Sequence, residues 1–263
     1  MKTQLLCFIS IVLSFAGISR QLHAQAVPPP PDTFKLGTGF DYSRGSYGFT
    51  TDTEVWSVPA ILVGENQSWQ FRATIPYLTV KGPANVIGDT GAAIDGPARP
   101  TAKSESGLGD IVAGLTFHTN PTSQSLKVDL TGRVKFPTAD DAKGLGTGKT
   151  DYYGQVDLYQ TFDAITPFGT VGYRFLGDTP TIRTRDGLYA TAGLIFRAAP
   201  GTSVGAGYDW REKLVSGGDD STDAMIFVTH NATDRVNIVL YALKGFDSGS
   251  PDYGFGGQIT YKF

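Results

Sequence analysis

The chain has 263 residues, with 22 Lys and Arg against 25 Asp and Glu, a formal net charge of −3 and one cysteine. Cleavage of an N-terminal leader carrying Lys2, Arg20 and Cys7 would leave 20 basic and 25 acidic side chains, a net charge of −5. Those counts exclude a disulfide framework and a thiolate metal site, and they offer no basic stripe for a nucleic acid.

The first residues, MKTQLLCFISIVLSFAGISRQLHAQA, join Lys2 to an apolar run from Leu5 to Ile18 and end in small residues at Ala24 and Ala26. This is the pattern of a secretory signal peptide over residues 1–26, too short and too rich in serine for a spanning helix. The polyproline stretch that follows makes residues 27–33 a stiff periplasmic leader, or else a segment tucked into a pore. Beyond it no run of about 18 apolar residues occurs, which excludes helical membrane spans.

From residue 34 to 263 the chain alternates with a period of two, in segments of roughly 9 to 12 residues, the length of a tilted strand crossing a bilayer. Twelve strands are predicted, centred near residues 38, 58, 73, 112, 131, 157, 171, 192, 207, 227, 240 and 258. In the fifth, Leu126, Val128, Leu130, Val134 and Phe136 oppose Lys127, Asp129, Thr131, Arg133 and Lys135. In the last, Tyr253, Phe255, Ile259, Tyr261 and Phe263 oppose Asp252, Gln258, Thr260 and Lys262. Short connections at 64–67, 119–124, 163–166, 199–202 and 231–234 alternate with longer Gly-, Asp- and Ser-rich ones. An even count, alternating loop lengths and both termini on one side predict an all-β fold, a transmembrane antiparallel up-and-down β-barrel of about 12 strands.

The aromatic residues test that expectation. Tyr42, Trp56, Tyr77, Phe136, Tyr152, Phe175, Trp210 and Tyr253 fall near one rim, and Phe34, Trp69, Phe117, Phe162, Phe196 and Phe263 near the other, as two interfacial girdles. A soluble β-sandwich also alternates, but has no reason to gather aromatics at strand ends.

If the apolar alternates face lipid, the other set faces a lumen. The third to sixth strands supply Arg72, Asp110, Lys127, Asp129, Arg133, Lys135 and Asp157, a mixed-charge wall expected to pair across strands, Asp129 or Asp157 with Arg133 for instance. Such charges either fill the interior or surround a wet path. The eighth, tenth and eleventh strands supply Tyr189, Ile195, Met225, Phe227, Val239, Tyr241 and Leu243, where both faces are apolar. That wall either packs against an inserted loop or leader, or forms a hydrophobic lane for an amphipathic organic molecule. The lumen-lining candidates are Arg72, Asp129, Arg133, Lys135, Asp157, Tyr189, Phe227 and Tyr241. The longest loop, 81–107, is neutral on balance and either folds over the mouth or moves freely outside.

No catalytic, metal-binding or cofactor-binding residue is predicted. Beyond the leader the histidines are His118 and His230, both at predicted periplasmic strand ends and without a triad order. Asp140–Asp141 and Asp219–Asp220 read as solvated loop acids. The stretch KGLGTGKTD, residues 143–151, looks like the end of a phosphate-binding loop, but Lys143 stands where the first glycine belongs. The following DYYGQVDLYQTF alternates as a strand instead of opening a helix. It is expected to be a flexible external loop, with Lys143 and Lys149 pairing with Asp140, Asp141 and Asp151 at the rim.

The segments SGLGD (106–110), KFPTAD (135–140) and GLGTGKTD (144–151), with a C-terminal aromatic strand ending in Phe263, resemble a family of outer-membrane β-barrels associated with meta-pathway phenol degradation. The resemblance is clearest between residues 104 and 162. It implies an outer-membrane channel or transporter passing small organic, including aromatic, solutes passively through the lumen. A structural or adhesive barrel without transport is the alternative, and a barrel enzyme a third reading. The partners expected of such a barrel are outer-membrane lipid and lipopolysaccharide, the barrel-assembly machinery acting through the strand ending in Phe263, and a small organic solute.

Overall fold

The structure, a computed structural model, describes residues 33–47, 50–82, 86–87, 92–93, 103–119, 126–178, 184–214 and 219–263. The predicted signal peptide, the leader up to Asp32 and most of the 81–107 loop lie outside these residues.

Twelve antiparallel strands form the wall: β1 (Thr33–Gly45), β2 (Thr53–Glu65), β3 (Trp69–Gly82), β4 (in two parts, Lys103–Leu108 and Ile111–His118), β5 (Lys127–Phe136), β6 (Asp151–Tyr159), β7 (Ile165–Phe175), β8 (Gly187–Ala199), β9 (Thr202–Arg211), β10 (Ser221–Asn231), β11 (Val236–Gly245) and β12 (Tyr253–Lys262). Each contains one of the predicted centres. Successive strands pair along the chain, and β1 closes the ring by pairing with β12 from Lys35↔Lys262 to Arg44↔Tyr253 as well as with β2. Closure removes the two sheet edges whose free N–H and C=O groups lipid could not satisfy.

The short connections are tight turns set by local side chains. At 66–69 the Asn66 carboxamide oxygen accepts from the backbone N–H of Ser68 (3.0 Å) and Trp69 (2.8 Å). At 233–236 the Thr233 hydroxyl accepts from Arg235 and Val236 N–H. Gly201 turns between β8 and β9 at a φ of 71°, a region that suits glycine.

Alternation sends one set of side chains outward. Ile226, Val171, Leu194 and Leu240 are exposed aliphatic side chains on the outer wall, an arrangement that water disfavours and lipid tails favour. The predicted girdle aromatics also point outward, and some stack across strands: Tyr42 on Trp56 and Trp69 on Phe117, each with ring centroids 4.7 Å apart. The first pair lies toward the long-loop rim and the second toward the turn rim.

Inward, large rings lie along the wall above glycines of neighbouring strands. A Cβ on Gly172 would collide with the Tyr189 ring, one on Gly193 with Phe168, and one on Gly205 with Phe227. Each glycine leaves the floor on which an aromatic from the next strand rests. Gly205→Val should lift Phe227 off the wall and destabilise the barrel by about 1–3 kcal/mol. Gly154→Val, where a Cβ meets nothing within 4 Å, should change stability by less than about 0.5 kcal/mol. Urea unfolding in lipid vesicles compares the two.

Candidate functional site

At the long-loop mouth the three signature segments come together. Pro76 lacks an N–H, and beside it β4 carries one extra residue: Tyr77 pairs with Leu108 and Thr74 with Val112, so three residues of β4 stand opposite two of β3. This bulge at Gly109–Asp110 turns the Asp110 side chain inward, where it is fully buried. The segment after β5 then caps it. Asp110 Oδ1 accepts from Ala139 N–H (2.9 Å), and the Thr138 hydroxyl donates to Gly109 C=O (3.0 Å) while accepting from Ile111 N–H (2.9 Å).

Lys135, 2% exposed, occupies the centre of this unit. Its ammonium lies 3.1 Å from Asp110 and 2.8 Å from Asp151, and it donates to the Thr147 hydroxyl at 3.0 Å. One buried cation therefore ties the bulge, β5, β6 and the loop 137–150 together. Within the loop, Asp140 caps a single 3-10 turn, Asp141–Lys143, which Gly144 ends at a φ of 71°. The reversal drives Leu145, 0% exposed, onto the inner faces of β2 and β3 against Val55, Leu78 and Val80. Gly107 makes room for it, since a Cβ there would fall 2.8 Å from a Leu145 methyl.

The expectation of a flexible external loop is thus corrected. The GLGTGKT segment folds into the mouth because it carries one large apolar side chain and its neighbours are glycines. The holding cation also differs: Asp151 is bound by Lys135, whereas Lys143 reaches only Asp140 on the surface, at 3.8 Å. At the same mouth Tyr47 is buried, and that burial pushes its phenol well above its ordinary pKa, keeping the hydroxyl neutral.

The eight lumen-lining candidates, Lys135 at the mouth and the others below this loop, all stand on the inward alternation, opposite to the lipid-facing set. Lys135 differs from the other seven in being capped by the loop. Arg133 donates from Nη2 to the Tyr189 hydroxyl at 3.0 Å, and its guanidinium carbon lies 5.3 Å from the centre of the Tyr153 ring. Tyr189 in turn donates to Gln155 Oε1 at 3.0 Å, so β5, β6 and β8 share one network.

The expected pairing of Asp129 or Asp157 with Arg133 does not occur. Register decides against it: Arg133 stands opposite Tyr153, and the two aspartates stand opposite each other. Like charges in that position repel, and each carboxylate takes other partners instead. Asp157 accepts from the Thr170 hydroxyl (2.6 Å) and Gln155 amide (2.8 Å). Asp129 accepts from the Tyr159 hydroxyl and lies against His118 Nδ1, both at 2.7 Å.

The far wall carries an apolar band. Tyr159, Phe168, Ile195, Met225, Phe227, Val239, Tyr241 and Leu243 belong to one buried cluster running from β6 to β11, while Arg211 with Asp209 and Asp223 occupies the same wall nearer the long-loop rim. Tyr241 edges it by donating to Asp41 of β1 across Gly256. Leu145 packs on β2 and β3, so the inserted loop does not cover this lane. The two histidines are separated by the wall itself: His118 faces inward, whereas His230 is exposed outside beside the Thr202 hydroxyl, 2.9 Å away. Among the described residues no group of three or more His, Cys, Asp or Glu is placed to hold a metal ion.

No family model and no curated protein matches the chain. Solved structures do. An outer membrane channel of the COG4313 group from Pseudomonas putida F1 superposes with a TM-score of 0.67 at 13% identity, over 90% of this chain and 97% of that one. The NanC porin gives 0.53 at 9% identity, over 87% and 100%, and the β-domain of the Bordetella autotransporter BrkA gives 0.55 at 12%, over 88% and 100%. At these identities the likeness is one of fold, and it spans the whole barrel. The chain has the closed antiparallel β-barrel fold of these outer-membrane proteins.

The mouth unit has a direct test. Lys135→Met leaves Asp110 and Asp151 buried without their cation and should cost about 3 kcal/mol or more locally. Trypsin cleavage after Lys143 and Lys149 in the folded barrel should accelerate at least about tenfold, the factor that about 1.4 kcal/mol of released anchoring gives in an opening equilibrium. Mass spectrometry of the fragments reads the outcome.

Proposed function

We propose that this chain is an outer-membrane channel that passes small organic solutes, aromatic ones included, passively through its lumen and past a constriction formed by the 137–150 loop. The observation that carries this reading is the division of the inner wall. One side carries hydrogen-bonded charges, from Asp41 round to Asp157, and the other carries an apolar band whose rings lie along the wall above glycines, with the charged group of Arg211, Asp209 and Asp223 nearer the rim. Side chains laid flat take up less of the lumen than side chains that cross it, and a polar wall facing an apolar band suits solutes that are themselves part polar and part apolar. Arg72, Asp129, Arg133, Asp157, Tyr189, Phe227 and Tyr241 line the path, and Lys135 holds the constriction.

The three signature segments that resemble the phenol-degradation barrels build that constriction, which supports the same family of function. The P. putida structure of similar fold is an outer membrane channel and NanC a porin. In this reading residues 1–26 export the chain, 27–33 lie at the periplasmic side, and the strand ending in Phe263 presents the chain to the barrel-assembly machinery. Lipid meets the outer belt, and lipopolysaccharide meets the long-loop rim.

Osmotic swelling of liposomes carrying the purified barrel tests this. Serine and phenylalanine should enter faster than into empty liposomes, and raffinose should not. Leu145→Gly should raise phenylalanine entry severalfold by loosening the loop. A barrel of purely structural role would give no swelling above empty liposomes with any solute.

A further inference from the structure

Several cations along the inner wall are matched to acids. Lys135 lies between Asp110 and Asp151, Arg211 between Asp209 and Asp223, and Lys35 against Glu65 at 2.7 Å. Arg72 and Arg133 are not treated this way. Nε and Nη2 of Arg72 and Nε of Arg133 are buried and have no hydrogen-bond partner among the described residues. Arg133 spends one nitrogen on a neutral phenol, that of Tyr189. The nearby acids are already engaged by other groups: Asp41 by Tyr241, Asp157 by Thr170 and Gln155, Asp129 by Tyr159 and His118. A guanidinium with buried, unmatched N–H groups is expensive to keep, and its presence calls for a partner.

The two arginines are neighbours on one rung. Arg72 stands opposite Gly114 of β4, and Gly114 stands opposite Arg133 of β5. Two strand spacings put their Cα atoms about 10 Å apart, with no side chain between them. A Cβ at Gly114 would fall 3.0 Å from Cγ of Arg133, so the glycine is the gap beside which the Arg133 stem passes. Across the ring of twelve, the strand six places from β4 is β10, which carries Met225 and Phe227 of the apolar cluster.

We infer that Arg72 and Arg133 form an anion site in the lumen that takes the carboxylate of an organic acid, whose apolar body lies toward Met225 and Phe227. The inference rests on the channel reading and narrows its substrate class from small organic solutes to amphipathic monocarboxylates. Guanidinium N–H groups fit the planar carboxylate in paired, charge-assisted hydrogen bonds. A small inorganic anion would leave the apolar side of the lumen unused, and a neutral aromatic would leave both arginines unmatched.

Isothermal titration of the detergent-solubilised barrel reads binding, with benzoate as probe, acetate and benzylamine as controls, and heat-modifiable gel mobility as the check on folding. Benzoate should bind, acetate at least about tenfold more weakly, and benzylamine not at all. The R72Q/R133Q variant should lose benzoate affinity by about tenfold or more, R72K/R133K should recover only part of it, and Phe227→Ala should weaken benzoate while leaving acetate unchanged. Absence of benzoate binding to the wild type, or affinity within about twofold in folded R72Q/R133Q, overturns the site. Liposome swelling separates the two readings. Benzoate binding without entry of phenylalanine overturns the channel and keeps the site, whereas phenylalanine entry without benzoate binding does the reverse.

Discussion

The structure depends on the seam between β1 and β12. Ten residue pairs, Lys35↔Lys262 to Arg44↔Tyr253, join the two ends of the wall. Without that seam two rows of backbone donors and acceptors would face lipid, at a cost of several kcal/mol for each unsatisfied group. Closure fixes more than stability. It fixes which alternate of every strand meets lipid, and a ring of twelve is narrow enough that inward side chains from non-adjacent strands touch, as Arg133 of β5 does Tyr189 of β8. Inner-face glycines answer that crowding: the ring that would otherwise cross the lumen lies over the next strand.

The same crowding explains why a loop at the mouth is structured. A chain entering from the rim meets the inner faces of β2 and β3, and a single leucine there buries fully against Val55, Leu78 and Val80. Leaving that leucine in water would forgo a gain of about 1.5–3 kcal/mol. Lys135 fixes the direction of entry, because its two carboxylates come from the β4 bulge and the start of β6, on either side of the loop it holds. A stretch that looks like a phosphate-binding motif is therefore rich in glycine for reasons of packing. Gly146 must lie beside the Asp110 carboxylate, and Gly148 turns at a φ of 66°.

Strand number, strand centres, outward faces and turn positions were legible in the sequence because each rests on a period-two pattern within about ten residues. The girdles were legible for the same reason: Tyr42, Trp56, Trp69 and Phe117 announce strand ends as well as faces. The fate of Leu145 was not, since its burial depends on strands some 65 to 90 residues earlier in the chain, and its only local sign is a lone leucine among glycines. Charge pairing was not legible either. Alternation puts Asp129, Asp157 and Arg133 on one face, but only the register places the two acids opposite each other and Arg133 opposite Tyr153. The bulge at Asp110 likewise follows from the meeting of Pro76 with β4, which local pattern does not reveal.

The distribution of charge inside the ring argues about what fills it. A barrel packed solid with its own side chains would need every inward charge matched within the protein, because an unmatched ion in a dry interior shifts the balance by several kcal/mol. At the mouth Lys135 and Arg211 are both enclosed by acids. Deeper in, Arg72 and Arg133 are not, although Asp41, Asp129 and Asp157 stand on the same wall. Those acids instead make their hydrogen bonds with Tyr241, Tyr159, His118, Thr170 and Gln155. Guanidinium N–H groups left buried and unmatched are out of place in a solid plug, and they are the groups the proposed carboxylate site would use.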